Sequence, residues 1–213
     1  MNQTKIEWCE FTWNPVWGCL KQCSYCYARR LAQRFGESFE PHWKERNFNR
    51  MMPGLPSRIF VNSMSEIAYW KGEWWDRVLD RIRQNPQHKF LFLTKNPSVY
   101  ENIRFPENCW LGVTITHQWM MSALADYLFD STWDENYTLF LSIEPMLEPI
   151  QLYVRPDWLI MGAETGNRKG RVVPEIDWIT QLMRYETGPI FMKDSLKPIW
   201  EPHKGELIRE WPE

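Results

Sequence analysis

Three cysteines stand close together in Cys19-Leu-Lys-Gln-Cys23-Ser-Tyr-Cys26, a C-x3-C-x2-C spacing. Thiolate is a soft ligand that suits zinc and iron–sulfur clusters. Four thiolates close a structural zinc site or a ferredoxin cluster. Three from one loop leave one iron of a four-iron cluster without a protein ligand, and a small molecule can bind there. Three other readings compete. Zinc could recruit Cys9, His42 or Cys109 as a fourth ligand, a distant Cys could complete an electron-transfer cluster, or the thiols could be buried without any metal. Zinc modules usually supply ligands as C-x2–4-C pairs, and the sequence holds no second pair. Five cysteines is an odd number, and MNQTKIEWCEF has no apolar signal-peptide core, so a disulfide framework is a poor reading.

The elements that must position this loop are legible as a rhythm of short apolar runs, polar turns and helical stretches. The pattern predicts strands over 11–16, 59–62, 89–93, 110–114, 138–143, 158–161 and 190–192. Helices are expected over 24–35, 73–84, 98–102, 118–129 and 175–184. Runs such as FLFL are apolar on consecutive positions, as in strands buried on both faces of a parallel sheet. Strand–helix alternation then implies right-handed βαβ units. Six or seven units in 213 residues are few for a full eight-fold barrel of about 250 residues. The expected fold class is therefore α/β, a partial (β/α)6-type TIM barrel with a parallel sheet and outer helices; a doubly wound sheet is the alternative. One domain over 1–213 is expected, with a core of about 6–195 and a C-terminal tail of 196–213.

In such architectures functional groups gather at the carboxyl ends of the strands. The segments found there are Ser63-Met64-Ser65-Glu66, Thr94-Lys95, Thr114-Ile115-Thr116-His117, Ser142-Ile143-Glu144, Gly162-Ala163-Glu164 and Lys193-Asp194. Glu144 and Glu164 directly follow apolar runs, where a carboxylate must be paired or face a polar cavity. Lys193 and Asp194 could supply a salt bridge to either one. Lys95 could pair with a carboxylate, or be a solvated lysine before the Pro97 turn.

The formal charge of −2 gives no global basic field for capturing duplex nucleic acid. The one basic, aromatic-containing stretch holds Arg29, Arg30, Arg34, Lys44, Arg46 and Arg50 with Trp43 and Phe48. It reads as a phosphate contact or a solvated helix face. Fourteen Trp signal either a base-stacking surface or a core of large side chains. No apolar run approaches the ~18–20 residues of a membrane span, so a cytoplasmic protein without membrane contact is expected.

With Tyr25 before its last Cys, the loop resembles the signature of radical S-adenosylmethionine (SAM) enzymes. Beyond it, TWNPVWGC, IFVNSMSE, FLTKNP, WLGVTI, LSIEPML and MGAETG resemble a family of small three-cysteine proteins common in phage genomes. The resemblance runs over about 6–195. It implies a [4Fe–4S] cluster on Cys19, Cys23 and Cys26, whose fourth iron chelates SAM. It also implies an external one-electron reductant of flavodoxin or ferredoxin type, and reductive cleavage of SAM to a 5′-deoxyadenosyl radical that abstracts substrate hydrogen. Tyr25 would sit against the adenine. The segment that holds the SAM amino group in that superfamily reads Ser-Met-Ser-Glu here instead of Gly-Gly-Glu, with Ser63 and Ser65 as candidates. Lys95, Thr114, Ser142 and Glu144 are further cofactor candidates, and Glu144, Glu164 and Lys193 are catalytic ones. The implied substrate is a modified nucleobase in phage DNA or a nucleotide, in a bacterial or phage-infected cell; a peptide or small metabolite is the alternative.

Overall fold

The computed structural model describes residues 1–130, 133, 136–185 and 188–213. Its architecture is mixed α/β, and the chain forms two compact units, Met1–Leu111 and Gly112–Glu213.

The first unit contains β1 (Asn2–Gln3), β2 (Phe11–Thr12), β3 (Val16–Trp17), α1 (Tyr27–Arg34), β4 (His42–Trp43), α2 (Glu45–Phe48), β5 (Arg58–Phe60), α3 (Gly72–Arg83) and β6 (Lys89–Thr94). Its sheet runs β1-β2-β5-β6. β2, β5 and β6 are parallel and β1 is antiparallel to β2. The expected strand over 11–16 is broken in two. Asn14 is turned to accept the Met64 N–H at 3.0 Å, and Pro15 has no N–H to give a ladder. Beyond the break, β3 pairs antiparallel with β4. The helix expected from Ser24 starts at Tyr27, because Cys26 occupies the extended N-cap position. α3 buries Trp74, Trp75, Val78, Leu79 and Ile82, a spacing that lays one face on the sheet.

β7 (Cys109–Thr114) carries the chain onward. The second unit then holds α4 (Gln118–Asp130), β8 (Thr138–Ile143), β9 (Trp158–Met161), α5 (Ile176–Leu182), β10 (Ile190–Met192) and α6 (Lys197–Lys204). β8, β9 and β10 are parallel in that order. β9 is buried at every residue, as a strand covered on both faces requires. The stretch expected as a tail contains α6, with Pro198 in the first turn, where a missing N–H costs nothing.

The tryptophan question resolves toward core. Trp8, Trp13, Trp70, Trp74, Trp75, Trp110, Trp158 and Trp200 are buried. Trp70, Trp75, Phe92 and Phe105 pack ring against ring beside α3.

Candidate functional site

In the first unit the cysteine loop lies by the carboxyl ends of β5 and β6. Gly18 donates its N–H to Met64 O at 2.9 Å, Cys19 donates to Phe39 O at 2.8 Å, and Lys21 Nζ reaches Lys95 O at 3.5 Å. Gly18 has φ +105°, and a Cβ there would meet Glu40 O at 2.1 Å. Only glycine lets the chain pass Glu40 and turn into Cys19. Arg29 braces the loop from α1, with Nη2 donating to Cys19 O at 2.9 Å and Lys21 O at 2.6 Å. Arg29 was expected on a basic surface; it is an internal strut.

Two of the three sulfurs already sit as acceptors. The Lys21 N–H approaches Cys19 Sγ at 3.3 Å and the Arg29 N–H approaches Cys26 Sγ at 3.4 Å. Cys26 thereby caps α1, where the helix dipole favours negative charge on sulfur. Burial pushes the Cys19 thiol up to about 11, with Glu66, Cys26 and Cys23 adding to the rise and the Lys21 N–H opposing it. Neighbouring thiolates repel one another; a bound metal reverses that, because a coordinated thiol is deprotonated outright.

Cys9 and Cys109 are buried, and burial raises the Cys109 thiol strongly. Cys9 Sγ lies 4.0 Å from Ile6 O, and His42 Nδ1 lies 2.7 Å from Glu40 O. Each candidate for a fourth ligand is thus seated in its own surroundings. Among the described residues, no group of three or more His, Cys, Asp or Glu side chains could hold a metal ion. Thiolates sharing one zinc at about 2.3 Å would lie within about 4 Å of one another. Three thiols on one loop are soft donors of the kind that iron–sulfur ligation takes, one to each of three irons. An orphaned donor lies in the same surroundings. Trp17 Nε1 is buried without a partner, and the Trp17 ring packs with Cys19 and Cys26 against Ala28, Ala32, Phe39 and Met64.

The polar residues after β5 and β6 form one network. Asn62 ties the two strands, giving Nδ2 to Leu93 O at 2.7 Å and taking the Leu93 N–H at 3.0 Å. Ser63 pairs with Asn14 at 3.0 Å, Ser65 Oγ accepts Trp70 Nε1 at 3.1 Å, and Tyr27 donates to Ser63 O at 2.6 Å. Glu66 is the buried hub: it accepts the Thr94 hydroxyl, the Lys95 N–H at 3.0 Å and the Ala68 N–H at 3.4 Å. The Lys95 ammonium lies 5.7 Å from the Tyr25 ring centroid. Glu66 and Thr94 belong to the strand-end segments read from sequence, whereas Asn62, which ties the strands, stands outside them. Glu66 follows the mostly polar Asn62–Ser65 segment, so its burial is not announced by an apolar run before it.

In the second unit, Lys193 forms an ion pair with Glu144. The pair lies over Gly162, where a Cβ would come within 3.2 Å of Glu144 Cγ and of Lys193 Cδ. Asp194 goes instead to Arg209 at 2.6 Å and Lys197 at 3.2 Å. Glu164, 4% exposed, is held by Arg168 at 2.6 and 2.7 Å and by the Val172 N–H at 3.4 Å. These contacts tie it to its own loop. Thr114 and Ser142 are buried, and Thr116 Oγ1 lies 3.0 Å from His117 Nδ1.

A family model described as a protein of unknown function (DUF5131) matches residues 3–187. No curated protein and no solved structure matches the chain.

Proposed function

We propose, for a chain that belongs to the DUF5131 family, that it is a radical SAM enzyme whose cofactor is held by Cys19, Cys23 and Cys26. The observation that carries this reading is the three-thiol loop by the carboxyl ends of parallel strands, with the remaining two cysteines buried apart in their own surroundings. A [4Fe–4S] cluster with SAM on its open iron supplies reductive cleavage of SAM and a hydrogen-abstracting radical. The chain's own residues do the rest. Gly18 and Arg29 fix the path of the loop, Cys26 is held at a helix N-terminus, and Asn14, Asn62 and Glu66 hold the 63–66 and 94–95 segments rigid beside it. Buried groups so tied keep their geometry through a reaction and exclude water.

The partial (β/α)6-type barrel belongs to the same reading, supported by the parallel strands and intervening helices of each unit. The substrate we attach to it is a nucleobase, in DNA or as a nucleotide. Lys44 pairs with Glu37 and Arg29 is internal, so any phosphate contact from α1 and α2 falls to the exposed Arg30, Arg34 and Arg46.

The test is anaerobic. Protein reconstituted with iron and sulfide, then given dithionite and SAM, should yield 5′-deoxyadenosine by mass spectrometry, and Cys23→Ala should abolish it. Cys9→Ala and Cys109→Ala should keep the cluster. Zinc without sulfide in the purified protein, or loss of the cluster on removing Cys9 or Cys109, overturns the reading.

A further inference from the structure

Lys95 is a cation without an anion. Its backbone is fixed: the Lys95 N–H is bound by Glu66 at 3.0 Å, its carbonyl takes Lys21 Nζ at 3.5 Å, and the Asn96 N–H closes on Thr94 Oγ1 at 3.0 Å. The Glu66 carboxylate is the nearest obvious partner, yet it is engaged by the Thr94 hydroxyl and the Lys95 and Ala68 backbone N–H groups. Two other half-buried lysines are ion-paired, Lys44 with Glu37 and Lys193 with Glu144, while half-buried Lys21 reaches only the Lys95 carbonyl. Among the described residues the Lys95 ammonium has no hydrogen bond or ion pair; it lies over the Tyr25 ring, 5.7 Å from its centroid. Tyr25 sits between Cys23 and Cys26 in the chain. Burial lowers the Lys95 pKa, and negative charge on Cys23, Glu66 and Cys26 opposes that shift. A desolvated cation over the Tyr25 ring, beside the cysteine loop, is costly unless negative charge arrives there.

We propose that Lys95 is a positioning charge for the cysteine-loop cofactor. It offsets the negative charge that a cluster on Cys19, Cys23 and Cys26 gains on one-electron reduction, and so sets the potential of that step. This rests on the function proposed above. The balance is simple: one electron passes from a low-potential donor such as dithionite to the cluster, and no bond is made or broken. A cation beside the cofactor in a partly desolvated site favours the reduced form by on the order of tenfold or more.

The experiment is a mediated redox titration of reconstituted wild-type protein, Lys95→Met and Lys95→Arg, reading the reduced cluster by electron paramagnetic resonance. In Lys95→Met the ratio of reduced to oxidised cluster at a fixed applied potential should fall at least on the order of tenfold. Lys95→Arg, which keeps the charge, should stay near wild type. If Lys95→Met does not fold, Lys95→Gln takes its place against Lys95→Arg. Intact clusters with equal midpoints in the neutral and charged variants overturn the inference and leave the proposed function standing. Absence of any cluster in the wild-type protein overturns both.

Discussion

Glu66 binds Lys95 through its backbone and not through its charge: the carboxylate takes the Lys95 N–H at 3.0 Å while the ammonium lies over Tyr25. The carboxylate therefore works as a buried acceptor joining the segments after β5 and β6. Removing it in Glu66→Ala strands the Thr94 hydroxyl and two backbone N–H groups, at a cost of about 3 kcal/mol. Glu66→Gln keeps most of the geometry and should cost about 1 kcal/mol. Chemical denaturation of both variants checks the order. Equal, small losses would mean that Glu66 is not the hub.

Gly18 combines a left-handed φ with backbone closer than any side chain tolerates, Glu40 O lying 2.1 Å from where a Cβ would be. Strain of about 1–3 kcal/mol from the backbone alone is added to that overlap. Gly18→Ala should therefore lower the unfolding midpoint and reduce iron uptake by the cysteine loop. Stability and iron content measured side by side check it. A variant with wild-type values in both would show that the loop has another path.

Much of this was legible because long apolar runs leave little choice. The strands at 138–143, 158–161 and 190–192 stand where the sequence predicts them. Short pieces were not legible: β3, β4 and α2 span two to four residues, too few for any periodicity to register. Pro15 lies where the first strand breaks, whereas Pro198, in the stretch expected as a tail, sits in the first turn of α6. The cysteine loop could be read from spacing alone. Its supports could not, since Gly18 against Glu40 and Arg29 against Cys19 O are contacts between segments that nothing local announces.

Glu164 illustrates the same limit, because its charge is spent on Arg168 four residues later. The carboxylate side chain is 2% exposed and that of its partner 27%. Arg168→Met takes the guanidinium away from the buried Glu164 carboxylate and should lower the unfolding temperature. Adding Glu164→Gln to that variant should recover most of the loss, since neither charge then remains. Thermal unfolding of the single and double variants tests this, and a double variant no better than the single one would contradict the pairing.

Glu45 gives the protein an acid-sensitive contact on an exposed face. Arg77 grips it with two hydrogen bonds at 2.8 and 2.9 Å, Trp43 Nε1 donates at 2.6 Å and Asn49 Nδ2 at 3.0 Å. Arg77 in turn stacks over Trp43 and Phe48, 4.4 and 4.5 Å from their ring centroids. The Arg77 hydrogen bonds, followed by that from Trp43, hold the Glu45 carboxyl at about 2 against an ordinary value of 4.5. Because the folded value is the lower one, the unfolded chain takes up the proton first as pH falls. The stabilisation is thus complete above about 4.5, declines below it, and is gone once pH passes the folded value near 2. Glu45→Gln should flatten the dependence of Tm on pH across that window and leave it unchanged near neutrality apart from a constant offset. Added salt should narrow the difference between the two proteins, since the pair is open to solvent. Parallel Tm profiles for wild type and Glu45→Gln between pH 2 and 4.5 would show that the Glu45–Arg77 contact adds nothing to folding.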